Sequence, residues 1–101
     1  MNTIFLPPAE EEMIAAGKYY EELAHGLGLD FFDEVEKTIS QISKYPQSGP
    51  EIHGNIRRRI IHRFPFGVLY KIDNDVIVII AIMNLYRKPG YWKSRLDTET
   101  Q

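Results

Sequence analysis

The sequence contains no cysteine among its 101 residues. This absence excludes a disulfide framework, catalysis by a thiol and zinc sites built from cysteine. A chain of this length is the size of one domain and buries roughly two-thirds of its unfolded surface, so its core needs no covalent support. We therefore predict a single domain over residues 1–101, with the last few residues frayed.

Long hydrophobic runs and targeting signals are also lacking. The longest apolar stretch, residues 76–83, is far too short to cross a bilayer. Residues 1–8 carry no basic side chain and only a brief apolar run, which does not match a secretory signal. These features predict a cytoplasmic protein with no membrane partner, and a reducing compartment fits the lack of cysteine.

Motifs for metals, cofactors and nucleophiles are missing as well. His25, His53 and His62 do not stand at metal-ligand spacing with one another or with a carboxylate pair. Residues 26–28 (Gly-Leu-Gly) lack the lysine and the strand context of a phosphate-binding loop, and no serine lies in a nucleophile elbow. We expect no metal and no cofactor.

Charge is divided unevenly between the two halves of the chain. Residues 1–50 carry three basic and nine acidic side chains, a charge of −6, whereas residues 51–101 carry nine basic and five acidic ones, a charge of +4. The basic half is suited to an anionic partner. The alternative is that the two halves attract each other or face solvent.

The N-terminal half has the pattern of two helices. Apolar residues recur at spacings of three and four over residues 9–27, after a proline pair suited to a helix start. Glycines at positions 26 and 28 end this helix. Asp30 is the predicted N-cap of a second amphipathic helix, which Pro46 closes. Helices joined this closely form an antiparallel hairpin.

Strand patterns occupy the rest of the chain. A short strand at residues 4–6 precedes the helices, and strand-like runs follow them at residues 56–64, 68–72 and 76–83. The last run has no polar face, so it should be covered on both sides at the centre of the sheet. The predicted fold class is α+β, in the order β-α-α-β-β-β, with the helical hairpin on one face of a small, mainly antiparallel sheet.

Basic side chains are concentrated in the first run after the helices. Because side chains alternate along a strand, Arg57, Arg59 and Arg63 are predicted to share one face, with Arg58 and His62 on the other. The arginine row could bind phosphates bidentately, or it could pair with carboxylates of the acidic half. His62 is a candidate general base, or a plain strand histidine.

Aromatic and basic residues are interleaved after the last strand, over residues 84–95. Such interleaving suits stacking on bases or contact with a protein partner. The alternative is that Tyr91 and Trp92 clamp this segment onto the core, with the lysines and arginines outside.

Four segments in the observed order together resemble the RelE/ParE superfamily, the toxins of type II toxin–antitoxin (plasmid stabilisation) modules. The segments are residues 19–21 (Tyr-Tyr-Glu) with 26–31 (Gly-Leu-Gly-Leu-Asp-Phe), residues 42–50 (Ile-Ser-Lys-Tyr-Pro-Gln-Ser-Gly-Pro), residues 57–58 (Arg-Arg) leading to 63–70 (Arg-Phe-Pro-Phe-Gly-Val-Leu-Tyr), and residues 79–83 (Ile-Ile-Ala-Ile-Met) followed by 87–92 (Arg-Lys-Pro-Gly-Tyr-Trp). The resemblance implies the fold order predicted above. It also implies a toxin neutralised by a cognate antitoxin that folds as it binds, with a homodimer or a toxin–antitoxin hetero-oligomer as the open possibilities for assembly.

The superfamily has two branches with different targets. RelE-like members cleave mRNA on the ribosome, and ParE-like members poison DNA gyrase. If this chain were a metal-independent endoribonuclease, His62, Arg63, Tyr86 and Arg87 would supply proton transfer and phosphate contacts. Many superfamily members carry histidine where this chain has Asn84, and an amide is neither an acid nor a base at neutral pH.

The overall charge of −2 also disfavours a ribosome-binding nuclease, because phosphate contacts dominate affinity for nucleic acid. Residues 64–66 (Phe-Pro-Phe) and 89–92 (Pro-Gly-Tyr-Trp) resemble the ParE-like branch more closely than the RelE-like branch. We therefore predict a ParE-like, non-enzymatic toxin that binds gyrase, with a RelE-like nuclease and a non-toxic antitoxin-binding homologue as alternatives. The predicted partner-binding residues are Arg57, Arg59, Arg63, Arg87, Tyr91 and Trp92.

Overall fold

A computed structural model of the chain describes residues 1–96, so the predicted fraying of the last few residues lies outside the described residues. The elements are β1 (Asn2–Phe5), α1 (Pro7–Leu23), α2 (Leu27–Lys44), β2 (Glu51–His53), β3 (Ile56–Ile60), β4 (Phe66–Asp73) and β5 (Val76–Asn84). The predicted α+β class and element order are confirmed. The sequence patterns missed only β2, a strand of three residues. No helix among the described residues is long and apolar enough to cross a membrane.

All five strands form one sheet in the order β1-β5-β4-β3-β2. β1 runs parallel to β5, and the other neighbouring pairs are antiparallel. Residues 77–83 of β5 are all buried, because β1 and β4 flank the strand and both of its faces are covered. The prediction that this strand has no exposed face is confirmed.

β5 contains a bulge at its midpoint. Leu69 pairs with Ala81 and Tyr70 pairs with Ile79, so Ile80 is the extra residue on the β5 side. Ile79 packs with the core beneath the helices, whereas both Ile80 and Ala81 belong to the core on the opposite face. Because of the bulge, every later side chain in β5 points to the face opposite the one that strict alternation from the start of the strand would give.

The helical hairpin packs closely because glycines line its contact. A Cβ added at Gly17 would lie 2.2 Å from the ring of Phe32, and one added at Gly28 would lie 2.6 Å from the carbonyl oxygen of Gly17. The two helices can approach this closely only without side chains at these positions. The hairpin covers one face of the sheet and encloses an aromatic cluster of Tyr20, Phe31, Phe64 and Phe66.

The other face of the sheet is covered by the segment after β5. Trp92, only 3% exposed, packs against a core that includes Ile56, Leu69 and Met83. Trp92 thus holds the C-terminal segment against the sheet, which agrees with the clamp alternative drawn from the sequence.

Three local predictions were wrong. The first helix ends at Leu23 rather than at Leu27, and Gly28, predicted to lie beyond its end, is inside α2. α2 begins at Leu27 rather than at Asp30, and its N-cap is Gly26 in the left-handed region, with a φ of 86°. β3 ends at Ile60, so Arg63 lies outside the strand, in the turn before β4, with a φ of 74°. In this conformation the strand alternation that placed Arg63 beside Arg59 no longer applies.

Candidate partner-binding surface

Arg57 and Arg59 project from β3 toward the loop that follows α2. The Arg57 guanidinium donates to the carbonyl oxygens of Gln47 (3.0 Å) and Gly49 (2.7 Å). The Arg59 guanidinium donates to the Ser48 hydroxyl and to the Gln41 side-chain oxygen, each at 2.6 Å. The interactions seen for these two arginines are therefore hydrogen bonds to uncharged acceptors of α2 and its following loop. That they contact a partner stays a prediction.

The same loop is fixed from beneath by Tyr70. The Tyr70 hydroxyl donates to the carbonyl oxygen of Pro46 at 2.7 Å and accepts from the Gly49 backbone N–H at 3.3 Å. Burial raises the pKa of the Tyr70 phenol above its ordinary value. The phenol thus stays a neutral donor, and the loop is held by a buried hydrogen bond as well as by the two arginines.

Arg63 and His62 occupy the turn between β3 and β4. One guanidinium nitrogen of Arg63 lies 3.6 Å from a carboxylate oxygen of Asp30, and both side chains are about half exposed. His62 is exposed. Neither residue lines the cavity that contains Asn84 and Arg87. The structure does not bring the four predicted nuclease residues together.

Glu12 covers the edge of β5 that β1 leaves open. β1 pairs with β5 only as far as Ile79. Beyond this point the backbone N–H of Ile82 donates to a Glu12 carboxylate oxygen at 3.1 Å, and the Arg95 guanidinium donates to the carbonyl oxygen of Ile80 at 3.0 Å. Two side chains thus replace a neighbouring strand, which leaves these buried backbone groups satisfied.

The Glu12 carboxylate also binds the C-terminal segment. It accepts from the Tyr91 hydroxyl at 2.6 Å and from the two Arg95 guanidinium nitrogens at 2.8 and 3.0 Å. Burial, and then the hydrogen bond to Glu12, raise the pKa of the Tyr91 phenol well above its ordinary value. The hydrogen bond to Glu12 likewise raises the pKa of Arg95. Tyr91 is therefore a neutral hydrogen-bond donor, and Arg95 is a cation.

Arg87 lies at the exposed rim of this network. Its guanidinium carbon is 3.9 Å from the centre of the Tyr91 ring, and its nearest nitrogen is 3.9 Å from a Glu12 oxygen. The side chain is 54% exposed. With Tyr19 and Asn84 it lines a cavity of about 330 Å³ between α1 and the end of β5. Arg87 is thus a cation held in place by an aromatic ring and open to solvent on its other side.

Asn84 and Tyr86 do not form a proton-transfer pair. The Asn84 side-chain oxygen accepts from the Tyr86 backbone N–H at 2.9 Å, which shapes the turn after β5. Tyr86 itself is 88% exposed. Within residues 1–96, no group of three or more acidic or histidine side chains is placed to hold a metal ion.

Sequence reasoning did not single out Glu12, Arg95, Arg58 or Lys93. Glu12 belongs to the run Glu10–Glu12, which is typical of the solvent-exposed first turn of a helix. Arg95 is 83 residues away from Glu12 in the chain. Nothing in the local sequence links two such distant positions. Arg58 was assigned to the face opposite Arg57 and Arg59, but the pattern does not say which face the helices cover.

Comparison with known proteins identifies the class of this molecule. Residues 3–85 match the family model described as the ParE toxin of the type II toxin–antitoxin system parDE. The chain therefore belongs to the ParE toxin family, the toxin components of type II toxin–antitoxin systems. This confirms the resemblance to the RelE/ParE superfamily and the choice of its ParE-like branch.

A solved structure described as "Chromosomal ParDE TA system from P. aeruginosa" contains a chain of the same fold. The superposition has a TM-score of 0.62 at 16% sequence identity and covers 84% of this chain and 96% of that chain. At this identity the likeness concerns the fold. A search of curated proteins gave no match.

Proposed function

We propose that this protein is a cytoplasmic ParE-like toxin that binds and inhibits DNA gyrase and is neutralised by a cognate antitoxin. Membership of the ParE toxin family supports the toxin role. The similar solved structure is described as a ParDE toxin–antitoxin system, which supports an antitoxin as partner.

The observation that favours gyrase over mRNA as the target is the set of side chains around Arg87. A metal-independent nuclease needs a base and an acid beside its phosphate-binding cations. Around Arg87 the nearest groups are the Tyr91 ring and the Glu12 carboxylate, and Glu12 is already engaged by Tyr91 and Arg95. Asn84 is an amide committed to a turn. These contacts suit a surface that binds a partner rather than one that moves protons.

The proposed contact surface centres on Arg87 and the Tyr91 ring beneath it. An arginine that is half exposed and stacked on an aromatic ring has the character of an interface hot spot, because its planar group is already oriented for binding. Trp92 would act indirectly, since it is buried and holds the segment in place. Arg57, Arg59 and Arg63 are the other cationic residues predicted to contact a partner, and all three lie beside α2 or its following loop.

Two assays on the purified protein test this function. We expect inhibition of DNA supercoiling by gyrase and no cleavage of mRNA in a ribosome-programmed translation reaction. Site-specific cuts in the mRNA would overturn the proposal in favour of a RelE-like endoribonuclease. An absence of growth arrest on induced expression, with no effect on gyrase, would leave a non-toxic antitoxin-binding protein.

A further inference from the structure

A second cavity lies on the face of the sheet away from the helices, and none of the predicted site residues except Arg87 and Trp92 lines it. Its volume is about 280 Å³, and it opens between the β2–β3 hairpin and the segment after β5. Its cationic side chains are Arg58, Arg87 and Lys93. We call it the basic pocket.

The basic pocket is built around Arg58. A Cβ added at Gly67, on the neighbouring strand β4, would lie 3.2 Å from the Arg58 Cγ and 3.3 Å from its Cδ. The aliphatic part of Arg58 therefore lies flat over Gly67, toward Leu85. Its backbone N–H is fixed by the Pro50 carbonyl oxygen at 3.1 Å. Arg58 thus reaches the pocket from β3, with its aliphatic part lying over Gly67.

Two of the three charges in the basic pocket, those of Arg58 and Lys93, are not neutralised by the described part of the chain. No acidic side chain lines it, and within residues 1–96 neither the Arg58 guanidinium nor the Lys93 ammonium has a hydrogen-bond or ion-pair partner. Arg57, Arg59, Arg63 and Arg95, by contrast, each have a partner. Arg87, the third cation, has the Glu12 carboxylate at 3.9 Å, outside the pocket lining. Gathering Arg58 and Lys93 near it with no anion of their own costs free energy, and an incoming anion relieves that cost.

Apart from His53 and the backbone, the remaining walls of the pocket are apolar, which indicates the kind of anion. Leu85 and Trp92 line it, and the ring of His53 meets Trp92 edge-on with the ring centres 6.0 Å apart. Trp92 is 3% exposed, so its face is closed to stacking bases. A pocket with cations and an apolar wall complements a carboxylate beside an apolar side chain, as in an acidic peptide.

We propose that the basic pocket receives an aspartate or glutamate side chain of the antitoxin, next to an apolar residue that packs on Leu85. This assignment rests on the proposed function, because it takes the antitoxin as the partner. The carboxylate forms charge-assisted hydrogen bonds with Arg58 and Lys93, and Arg87 stands at the boundary between this pocket and the cavity beside Glu12.

The single tryptophan of the chain gives a direct readout, because Trp92 lines the pocket. The full-length protein is titrated with the peptide acetyl-Leu-Glu-Leu-Asp-Leu-amide while Trp92 fluorescence is recorded. A matched peptide with Gln and Asn in place of Glu and Asp is the first control. We expect a saturable change with the acidic peptide only, and the binding weakens as salt is added.

Single substitutions show whether the acidic peptide binds in the basic pocket. Arg58→Gln and Lys93→Gln each raise the peptide Kd by about tenfold or more, since each removes a charge-assisted hydrogen bond. Arg58→Lys, which keeps the charge, retains most of the binding. Lys37→Gln, an exposed lysine of α2, leaves Kd unchanged. Far-UV circular dichroism identical to that of the wild type shows that each variant is folded.

Four results would overturn the assignment: no saturable change up to about 1 mM acidic peptide, equal binding of the amide peptide, an unchanged Kd in folded Arg58→Gln, or tighter binding of a ten-nucleotide thymidine strand. The last result would replace the peptide by nucleic acid. The titration needs neither gyrase nor living cells. Its failure is thus separate from a failure of the growth-arrest and supercoiling assays, which test the proposed function.

Discussion

A single carboxylate, that of Glu12, joins α1, the open edge of β5 and the C-terminal segment. It accepts hydrogen bonds from Ile82, Tyr91 and Arg95, and its side chain is only 16% exposed. Arg95 is equally sheltered. Removal of one member of such a pair leaves the other charged and without a counter-ion, which costs more than the pair itself contributes.

We therefore predict that Glu12→Gln lowers the free energy of unfolding by about 2–3 kcal/mol. Glu11→Gln, at the exposed neighbouring position, changes it by less than about 0.5 kcal/mol. Urea unfolding followed by circular dichroism measures both values. Equal losses of unfolding free energy in the two variants would show that the Glu12 carboxylate does not stabilise the fold.

At the scale of elements, the contact between α1 and α2 depends on the missing side chain at Gly17. An added Cβ would lie 2.2 Å from the Phe32 ring, so the ring or the helix must move. We predict that Gly17→Ala is destabilising by about 1–3 kcal/mol, although alanine is the better helix former by about 1 kcal/mol. In a Phe32→Leu background the loss should be smaller. A gain in thermal stability for the single variant would contradict the close packing.

The start of α2 is stabilised by a side chain from α1. The Glu21 carboxylate accepts from the backbone N–H groups of Gly26 and Gly28, each at 3.1 Å. These two bonds, that of Gly26 first, hold the pKa of Glu21 below the ordinary carboxyl value of 4.5. A depressed folded-state pKa means that the stabilisation is present above pH 4.5 and is lost as pH falls through the lower value.

Glu21→Gln should accordingly lower the melting temperature at pH 7, and the difference from the wild type should vanish in acid, below the folded-state pKa of Glu21. Glu22→Gln, an exposed neighbour, serves as the control and should differ little from the wild type at either pH. Thermal unfolding between pH 2.5 and 7 gives the comparison. A difference that persists unchanged in acid would mean that the carboxylate charge plays no part.

The element order could be predicted because helices and strands carry local apolar periods. The three wrong assignments concern ends of elements, where non-local contacts decide. The capping side chain of α2 is Glu21, on the preceding helix, whereas a local pattern pointed to Asp30. β3 stops at Ile60 because the chain turns, with Arg63 at positive φ. Arginine rarely adopts this conformation, and no turn motif in the sequence predicts it.

At the scale of the whole molecule, the packing of the helices decides which basic residues of the described part of the chain are left without a hydrogen-bond partner. Alternation along β3 gives two sets of arginines, but only packing shows that α2 and its loop engage Arg57 and Arg59. Arg58 faces the other side and joins Lys93 in the basic pocket. The interleaved aromatic and basic residues of 84–95 predicted contact with a partner for Arg87 and Tyr91, but only the structure shows the Arg87 guanidinium over the Tyr91 ring.

Arg87→Ala is predicted to reduce toxicity with little loss of stability. The guanidinium is half exposed and 3.9 Å from Glu12, so its removal costs about 1 kcal/mol or less. Growth arrest on induced expression and urea unfolding of the purified variant are the two measurements. Lys18→Ala, an exposed position on α1, should retain full growth arrest. A large drop in unfolding free energy for Arg87→Ala would instead make Arg87 a structural ion-pair member.

The parallel pairing of β1 with β5 sets when this molecule can fold during its own synthesis. The first strand is made at once, but its partner residues 76–79 emerge only after about 4–15 s more at ribosomal rates of roughly 5–20 residues per second. Arg95, the partner of Glu12, is synthesised later still. The nascent chain thus cannot close its sheet early in translation, and the surface around Arg87 is assembled only after residue 95 has left the ribosome.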